Sequence, residues 1–212
     1  MIDLLYNHSS DVYSANGEDG INEYILKHLK LDSGVVLEIG AWDGFFDSNC
    51  ANLWSNGSYN GILIEATSKL NIADLESRYD NISCYRELIS STNTLEDVIS
   101  KCKFDVDEDN FVLASIDVDG DDLNVARSLG KYKPIILIVE PNGDVISKLN
   151  PNGSTIKELI DFGIDFGYDF LGMSGHVGRH SGNVYLIRND YKDKFDICSK
   201  PWQQRGIILS EG

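Results

Sequence analysis

The sequence predicts an α/β fold with a mostly parallel central sheet, helices on both faces and an antiparallel hairpin at its C-terminal edge. Three observations lead there. Short β-branched apolar runs alternate with segments of helical periodicity along most of the chain, the pattern of a parallel sheet threaded by helices. The runs at 35–39, 111–116 and 134–139 are nearly continuous in apolar residues, as strands covered on both faces must be. The last two strand segments are separated by a loop without helical periodicity, so they pair antiparallel at one edge.

Each element has its own signal. Residues 17–30 set Ile21, Tyr24, Ile25 and Leu29 at helical spacing, and Lys27, His28 and Lys30 suit the negative end of the helix dipole. Val35-Val36-Leu37-Glu38-Ile39 follows Ser33-Gly34 as the first strand. A helix is expected over 48–56, closing at Asn56-Gly57. The second strand is 61–65, followed by an amphipathic helix over 68–79 and a third strand over 82–85. The helix over 94–101 starts at Thr94, with Asp97 three residues on in the manner of a capping box. Strand 111–116 leads into a helix over 123–129, and strand 134–139 into a helix over 154–166. Strands 168–173 and 183–188 close the sheet.

The chain has 212 residues, which predicts one domain over 1–212: helix 17–30 before the core, the core over 35–188, and a tail over 189–212. A hydrophobic fraction of 42% predicts a packed core. The formal charge of −16 repels phosphate backbones, so no nucleic-acid partner is expected. Cys50, Cys84, Cys102 and Cys198 are widely spaced with no C-x-x-C pair, so buried free thiols are expected. The N-terminus lacks a signal-peptide pattern, and no apolar run is long enough to span a bilayer. A cytoplasmic protein with no membrane partner is therefore expected.

Ligands of open α/β sheets bind beyond the carboxyl ends of the strands. Strand one ends in Glu38-Ile39-Gly40-Ala41-Trp42-Asp43-Gly44. Gly40 permits a tight turn, Gly44 a close ligand approach, and Glu38 and Asp43 accept hydrogen bonds from an ammonium, a hydroxyl or an amide. Strand two ends in Glu65, about 20 residues or a little more beyond the turn, where such folds place an acid on ribose hydroxyls. A nicotinamide dinucleotide needs a second glycine where Ala41-Trp42 stands, and the acids disfavour its pyrophosphate. S-adenosylmethionine, a nucleoside with sulfonium and ammonium charges, suits the turn better. Strand four ends in Asp117-Val118-Asp119-Gly120-Asp121-Asp122 and strand five in Glu140-Pro141-Asn142. Neighbouring strands run about 4.8 Å apart, so oxygens from both ends can meet on one hard cation such as Mg²⁺ or Mn²⁺. Asp121 and Asp122 read as acids starting a helix. The glycine-rich loop 174–182 offers His176 and His180 as a base or substrate clamp, and Arg179 for an anionic group. Without a role in the site, that loop is a surface hairpin turn. Trp202 could cap a sugar ring, although a packed tail is the simpler reading.

Taken together, the chain resembles class I S-adenosylmethionine-dependent methyltransferases, and within them the FkbM-like branch. The motifs are Glu38-Ile39-Gly40-Ala41-Trp42-Asp43-Gly44 and Gly61-Ile62-Leu63-Ile64-Glu65, with Ser14-Ala15-Asn16-Gly17-Glu18-Asp19-Gly20, Ser115-Ile116-Asp117-Val118-Asp119-Gly120 and Ile138-Val139-Glu140-Pro141-Asn142. Trp42 departs from the small residue many members carry. The resemblance implies a Rossmann-like, doubly wound, seven-stranded sheet and methyl transfer. It implies that Glu38 and Gly40 line the methionine end of the cofactor, with Asp43 and Gly44 beside it. Glu65 takes the ribose, and Asp19 closes over the methionine end. Asp117, Glu140 and Asn142 match by position the metal ligands of metal-dependent O-methyltransferases on this fold. The expected acceptor is a hydroxyl or phosphate-type oxygen of a sugar, a nucleotide-linked sugar or a related small molecule, as in surface-glycan or natural-product biosynthesis. Asp117, His176 and His180 are the candidate bases. The rival expectation is a binding module that keeps the fold without chemistry, which Trp42 blocking the turn would favour.

Overall fold

A computed structural model describes residues 5–142, 153–175, 182–202 and 205. Seven strands form one sheet in the order β3-β2-β1-β4-β5-β7-β6. They are β1 (Gly34–Ile39), β2 (Tyr59–Ile64), β3 (Ile82–Tyr85), β4 (Phe111–Ile116), β5 (Ile136–Val139), β6 (Tyr168–Met173) and β7 (Val184–Arg188). The first five run parallel. Strand β7 is antiparallel to both β5 and β6. The predicted Rossmann-like sheet and its antiparallel edge hairpin are both present.

Six α-helices flank it among the described residues: α1 (Glu18–Leu29), α2 (Ala51–Trp54), α3 (Ile72–Arg78), α4 (Leu95–Ile99), α5 (Asp122–Arg127) and α6 (Ile156–Phe166). Alternate strand residues point to opposite faces, which splits the core in two. Val36, Leu63, Ile138 and Tyr185 pack with Ile21 and Ile25 of α1 and Trp54 of α2. Leu37, Ile64, Leu137 and Leu186 pack with Val98 of α4, Ala126 of α5 and Leu159 of α6. None of these helices is long and apolar enough to cross a membrane.

The elements differ from expectation at their ends, for local reasons. The capping box at α4 is complete, with Thr94 and Asp97 satisfying each other's amides, and Thr155 and Glu158 repeat it at α6. The helix expected over 68–79 begins only after Asn71, whose side chain caps it. Strand β5 starts two residues after Pro134, which has no N–H to give a neighbouring strand. The helix expected over 48–56 shrinks to α2, because Ser48 and Asn49 are drawn away to a buried carboxylate.

Candidate functional site

Between β1 and β4 the strand order reverses, and a cleft opens there at the carboxyl ends of the strands, as open α/β sheets dictate. It has a volume of about 480 Å³ and is lined by Gly40, Trp42, Glu65, Leu88, Asp117 and Val118, among others. The turn after β1 builds one wall. The amides of Gly40 and Ala41 both donate to the Ile64 carbonyl, at 3.0 and 3.1 Å, which locks the turn against the end of β2. Gly40 has φ +81°, and a Cβ there would stand 1.7 Å from the Asp117 carbonyl oxygen. Only glycine lets β1 and β4 approach this closely.

Glu65 is buried at 6% exposure. One oxygen accepts from the Trp42 amide at 3.0 Å and the other from the Thr67 amide at 2.7 Å. Each oxygen keeps a free lone pair, so the carboxylate can still accept from a ligand's hydroxyls. Trp42 has φ +49°, a left-handed conformation that costs a bulky residue about 1 kcal/mol. The bond to Glu65 helps to hold it there. Trp42 is 44% exposed and lines the cleft, which remains open.

Behind the turn lies a buried polar layer. Glu38 accepts from the Ser48 hydroxyl at 2.5 Å and the Asn49 amide at 2.6 Å. Asn49 donates to Ser115 at 2.9 Å, and Asn22 donates to the Asn49 carbonyl at 2.8 Å. Tyr185 donates to Asn22 at 3.1 Å. Burial pushes the Glu38 carboxyl from 4.5 up to about 7; the Ser48 and Asn49 bonds pull it down and nearby Asp19 pushes it up. Asp19 is also buried. Its Oδ2 accepts from the amides of Val12, Tyr13 and Ser14 at 2.7–2.8 Å and from the Ser14 hydroxyl at 3.0 Å. Its Oδ1 is buried without a partner. An orphaned carboxylate oxygen is costly, and a cationic donor would satisfy it. Glu18 ties the same segment to the edge hairpin, accepting from Ser174 at 2.6 Å and Asn183 at 2.9 Å.

At the ends of β4 and β5 a second group of acids converges. Oxygens of Asp117, Asp122 and Glu140 lie within 4.8 Å of one another. Asp122 opens α5, as expected of a helix-start acid, but it is fully buried and turns back into the cluster. It accepts from the Val118 amide at 2.7 Å and the Gly120 amide at 2.9 Å. Asn142, the third predicted ligand, reaches the cluster through its side-chain N–H. Its amide donates to Asp122 at 2.9 Å and Glu140 at 2.6 Å, so Asp122 stands as the third acid and Asn142 braces the group. Burial, and then Glu140 beside it, push Asp117 well above the carboxylate range; burial also raises Glu140 and Asp122. Carboxylate oxygens are the donor type that hard divalent cations take.

The structure thus brings Gly40, Glu65 and Asp117 into one cleft, with Glu38 and Asp19 in the buried layer behind it. Asp43 is exposed and turned to its own loop, accepting from the Phe45 and Phe46 amides at 2.9 and 2.8 Å. Gly44 is buried, with φ +96°, facing Leu75 rather than the cleft. His176, Arg179 and His180 lie outside the described residues. Arg205 packs the tail, pairing with Asp169 at 2.7 Å and donating to the Cys198 carbonyl at 2.9 Å. Ser48, Asn49 and Asn22 had no sequence signal beyond being polar residues beside apolar positions.

No family model and no curated protein matches this sequence. Solved structures do share its fold. Magnesium protoporphyrin IX methyltransferase (ChlM) from Synechocystis PCC 6803, with bound SAH, aligns at TM-score 0.52 and 12% identity over 81% of both chains. Methyltransferase FkbM from Methylobacillus flagellatus KT aligns at 0.50 and 15% identity, covering 86% of this chain and 57% of that one. The CurJ carbon methyltransferase aligns at 0.51 and 11% identity, covering 80% and 52%. The chain therefore has the fold of S-adenosylmethionine-dependent methyltransferases, and it spans little more than half the length of the last two.

Proposed function

We propose that this protein is an S-adenosylmethionine-dependent O-methyltransferase acting on a hydroxyl of a sugar, nucleotide-linked sugar or related small molecule. The observation that carries the reading is the cleft at the reversal of strand order, with Glu65 held at its wall beside an acid cluster. The reading assigns Glu65 to the ribose hydroxyls and, in the buried layer behind the cleft, Asp19 and Glu38 to the ammonium; the unpartnered Asp19 Oδ1 supports the last. Bound there, S-adenosylmethionine supplies a methyl group activated by its sulfonium.

The chain's own part is alignment and proton control. Holding donor and acceptor in line can supply about 7–11 kcal/mol of the barrier. Asp117, Asp122 and Glu140 would hold a divalent ion that lowers the acceptor hydroxyl's pKa. With Asp117 so engaged, proton removal falls to His176 or His180. Six acids line the cleft (Asp47, Glu65, Glu87, Asp117, Asp119 and Asp121), and no Lys, Arg or His lines it among the described residues. That field favours a neutral hydroxyl acceptor over a phosphate oxygen.

Calorimetric titration of S-adenosylmethionine, with and without Mn²⁺, tests the reading. Binding near micromolar, about −8 kcal/mol, is expected. No binding in either condition would move the assignment to a non-catalytic module.

A further inference from the structure

The cleft combines two kinds of lining. Five large hydrophobic residues are exposed among the described residues, and three of them, Trp42, Phe46 and Leu88, line this one cleft. Phe46 is 65% exposed and Leu88 71%. They come from the loops after β1 and β3, so two separate segments build the apolar surface. Exposed apolar surface gathered in a concave site marks a place where a ligand is covered. The acids are the second kind. Glu65 is assigned to the ribose and Asp117 to the divalent ion, whereas Asp47, Glu87 and Asp121 are assigned to neither. They come from the loops after β1, β3 and β4 and line the same cleft. The donors recorded on the last two are neutral side-chain amides, Asn93 to Glu87 at 3.0 Å and Asn124 to Asp121 at 2.7 Å. Lys69, whose ammonium stands 4.7 Å from the Trp42 ring centroid, is not a lining residue. Carboxylates of one sign in a concave wall focus their field on what enters it.

We propose that the acceptor is a hydroxylated molecule carrying a protonated amine and an apolar face, of which an amino sugar on an apolar aglycone is the simplest form. The apolar face covers Phe46, Leu88 and Trp42, and the ammonium answers Asp47, Glu87 and Asp121. A phosphate in the ammonium's place would meet like charge, which sets nucleotide-linked sugars aside. This inference rests on the function proposed above and deepens it by naming the acceptor's chemistry, and its test separates the two.

The experiment compares three matched probes at neutral pH: phenyl glucosaminide, phenyl glucoside and phenyl glucoside 6-phosphate. Their binding is followed by the amide resonances of the full chain, free and saturated with S-adenosylmethionine. The amine is expected to bind at least about tenfold more tightly than the neutral glucoside, from a few-fold per exposed carboxylate. It should move the Phe46 and Leu88 signals, and the phosphate should not bind measurably. Replacing the three acids together, Asp47→Asn, Glu87→Gln and Asp121→Asn, should bring the amine down to the affinity of the neutral glucoside. The neutral glucoside itself should change less than about twofold, and an unchanged urea midpoint shows that the variant folds. No binding of the amine, no preference for it, or an unchanged preference in the triple variant would overturn the proposal. So would an amine that S-adenosylmethionine expels, because it would then be occupying the cofactor's place. Failure of S-adenosylmethionine itself to bind would overturn the function proposed above, and the preference for the amine is then read from the free protein.

Discussion

Two groups of acids stand on either side of Gly40, and they are held in opposite ways. Glu65, at the end of β2, and Asp19, at the start of α1, are surrounded by backbone amides: two on Glu65, three on Asp19. On the β4–β5 side, Asp117, Asp122 and Glu140 face one another; two backbone amides serve Asp122, and the Asn142 side-chain amide serves Asp122 and Glu140. The first is a fixed array of acceptors, ready for a ligand rich in donors. In the second, burial raises all three carboxyls, and for Asp117 its Glu140 neighbour adds to the rise. A reaction that binds a cationic nucleoside and activates a hydroxyl would use both properties, each in its own place.

Glu38 breaks the contrast, because an amide and a hydroxyl hold it, yet burial raises its carboxyl as it raises those of the acid cluster. Its carboxyl is raised from 4.5 to about 7, so the folded protein binds a proton that the unfolded chain has released. Stability is therefore full below about pH 4.5 and is lost as pH rises through about 7. The loss is about 3 kcal/mol at 1.36 kcal/mol per unit. Asp117, Glu140 and Asp122 shift in the same direction, so urea midpoints should fall steadily between pH 5 and 8. Glu38→Gln should flatten that slope in part. An identical slope in the variant would show that Glu38 does not carry the proton.

Glu65 tests the first side directly. Glu65→Ala removes the proposed ribose acceptor and strands the Trp42 and Thr67 amides, so cofactor affinity should drop at least about a hundredfold. Calorimetry reads it, and unchanged affinity would remove Glu65 from the site. On the second side, Asp122→Asn should weaken Mn²⁺ binding about tenfold or more while leaving cofactor affinity within about twofold. Electron paramagnetic resonance of free Mn²⁺ would report the first half. Equal Mn²⁺ binding in the variant would return the third ligand place to Asn142.

The fold was legible because it is written in periodicity. Runs such as Ile135 to Val139 must be buried on both faces whatever the rest of the chain does. The acids at strand ends were legible because position along a strand fixes which end of the sheet they reach. What stayed hidden was which acids converge. Asp122 reads as an ordinary helix-start acid, and only the turn through Gly120, φ +139°, sends its side chain back toward Glu140. Ser48 and Asn49 were hidden for a similar reason. Their task is to meet Glu38, ten and eleven residues earlier, and no local pattern carries a contact across a loop.

Asp43 shows the same limit from the other direction and gives the smallest expected effect. By sequence it belongs with Gly40 in the cofactor turn. In the structure its side chain is exposed, and its recorded bonds go to the amides two and three residues on, as an Asx turn does. Asp43→Ala should then cost about 1 kcal/mol of stability and weaken the cofactor less than about twofold. Asp43→Ala and Glu65→Ala would then differ by about fifty-fold or more in cofactor affinity. A loss for Asp43→Ala approaching that of Glu65→Ala would mean the turn rearranges on binding, bringing Asp43 to the ligand. The amide-held side would then be less rigid than its hydrogen bonds imply.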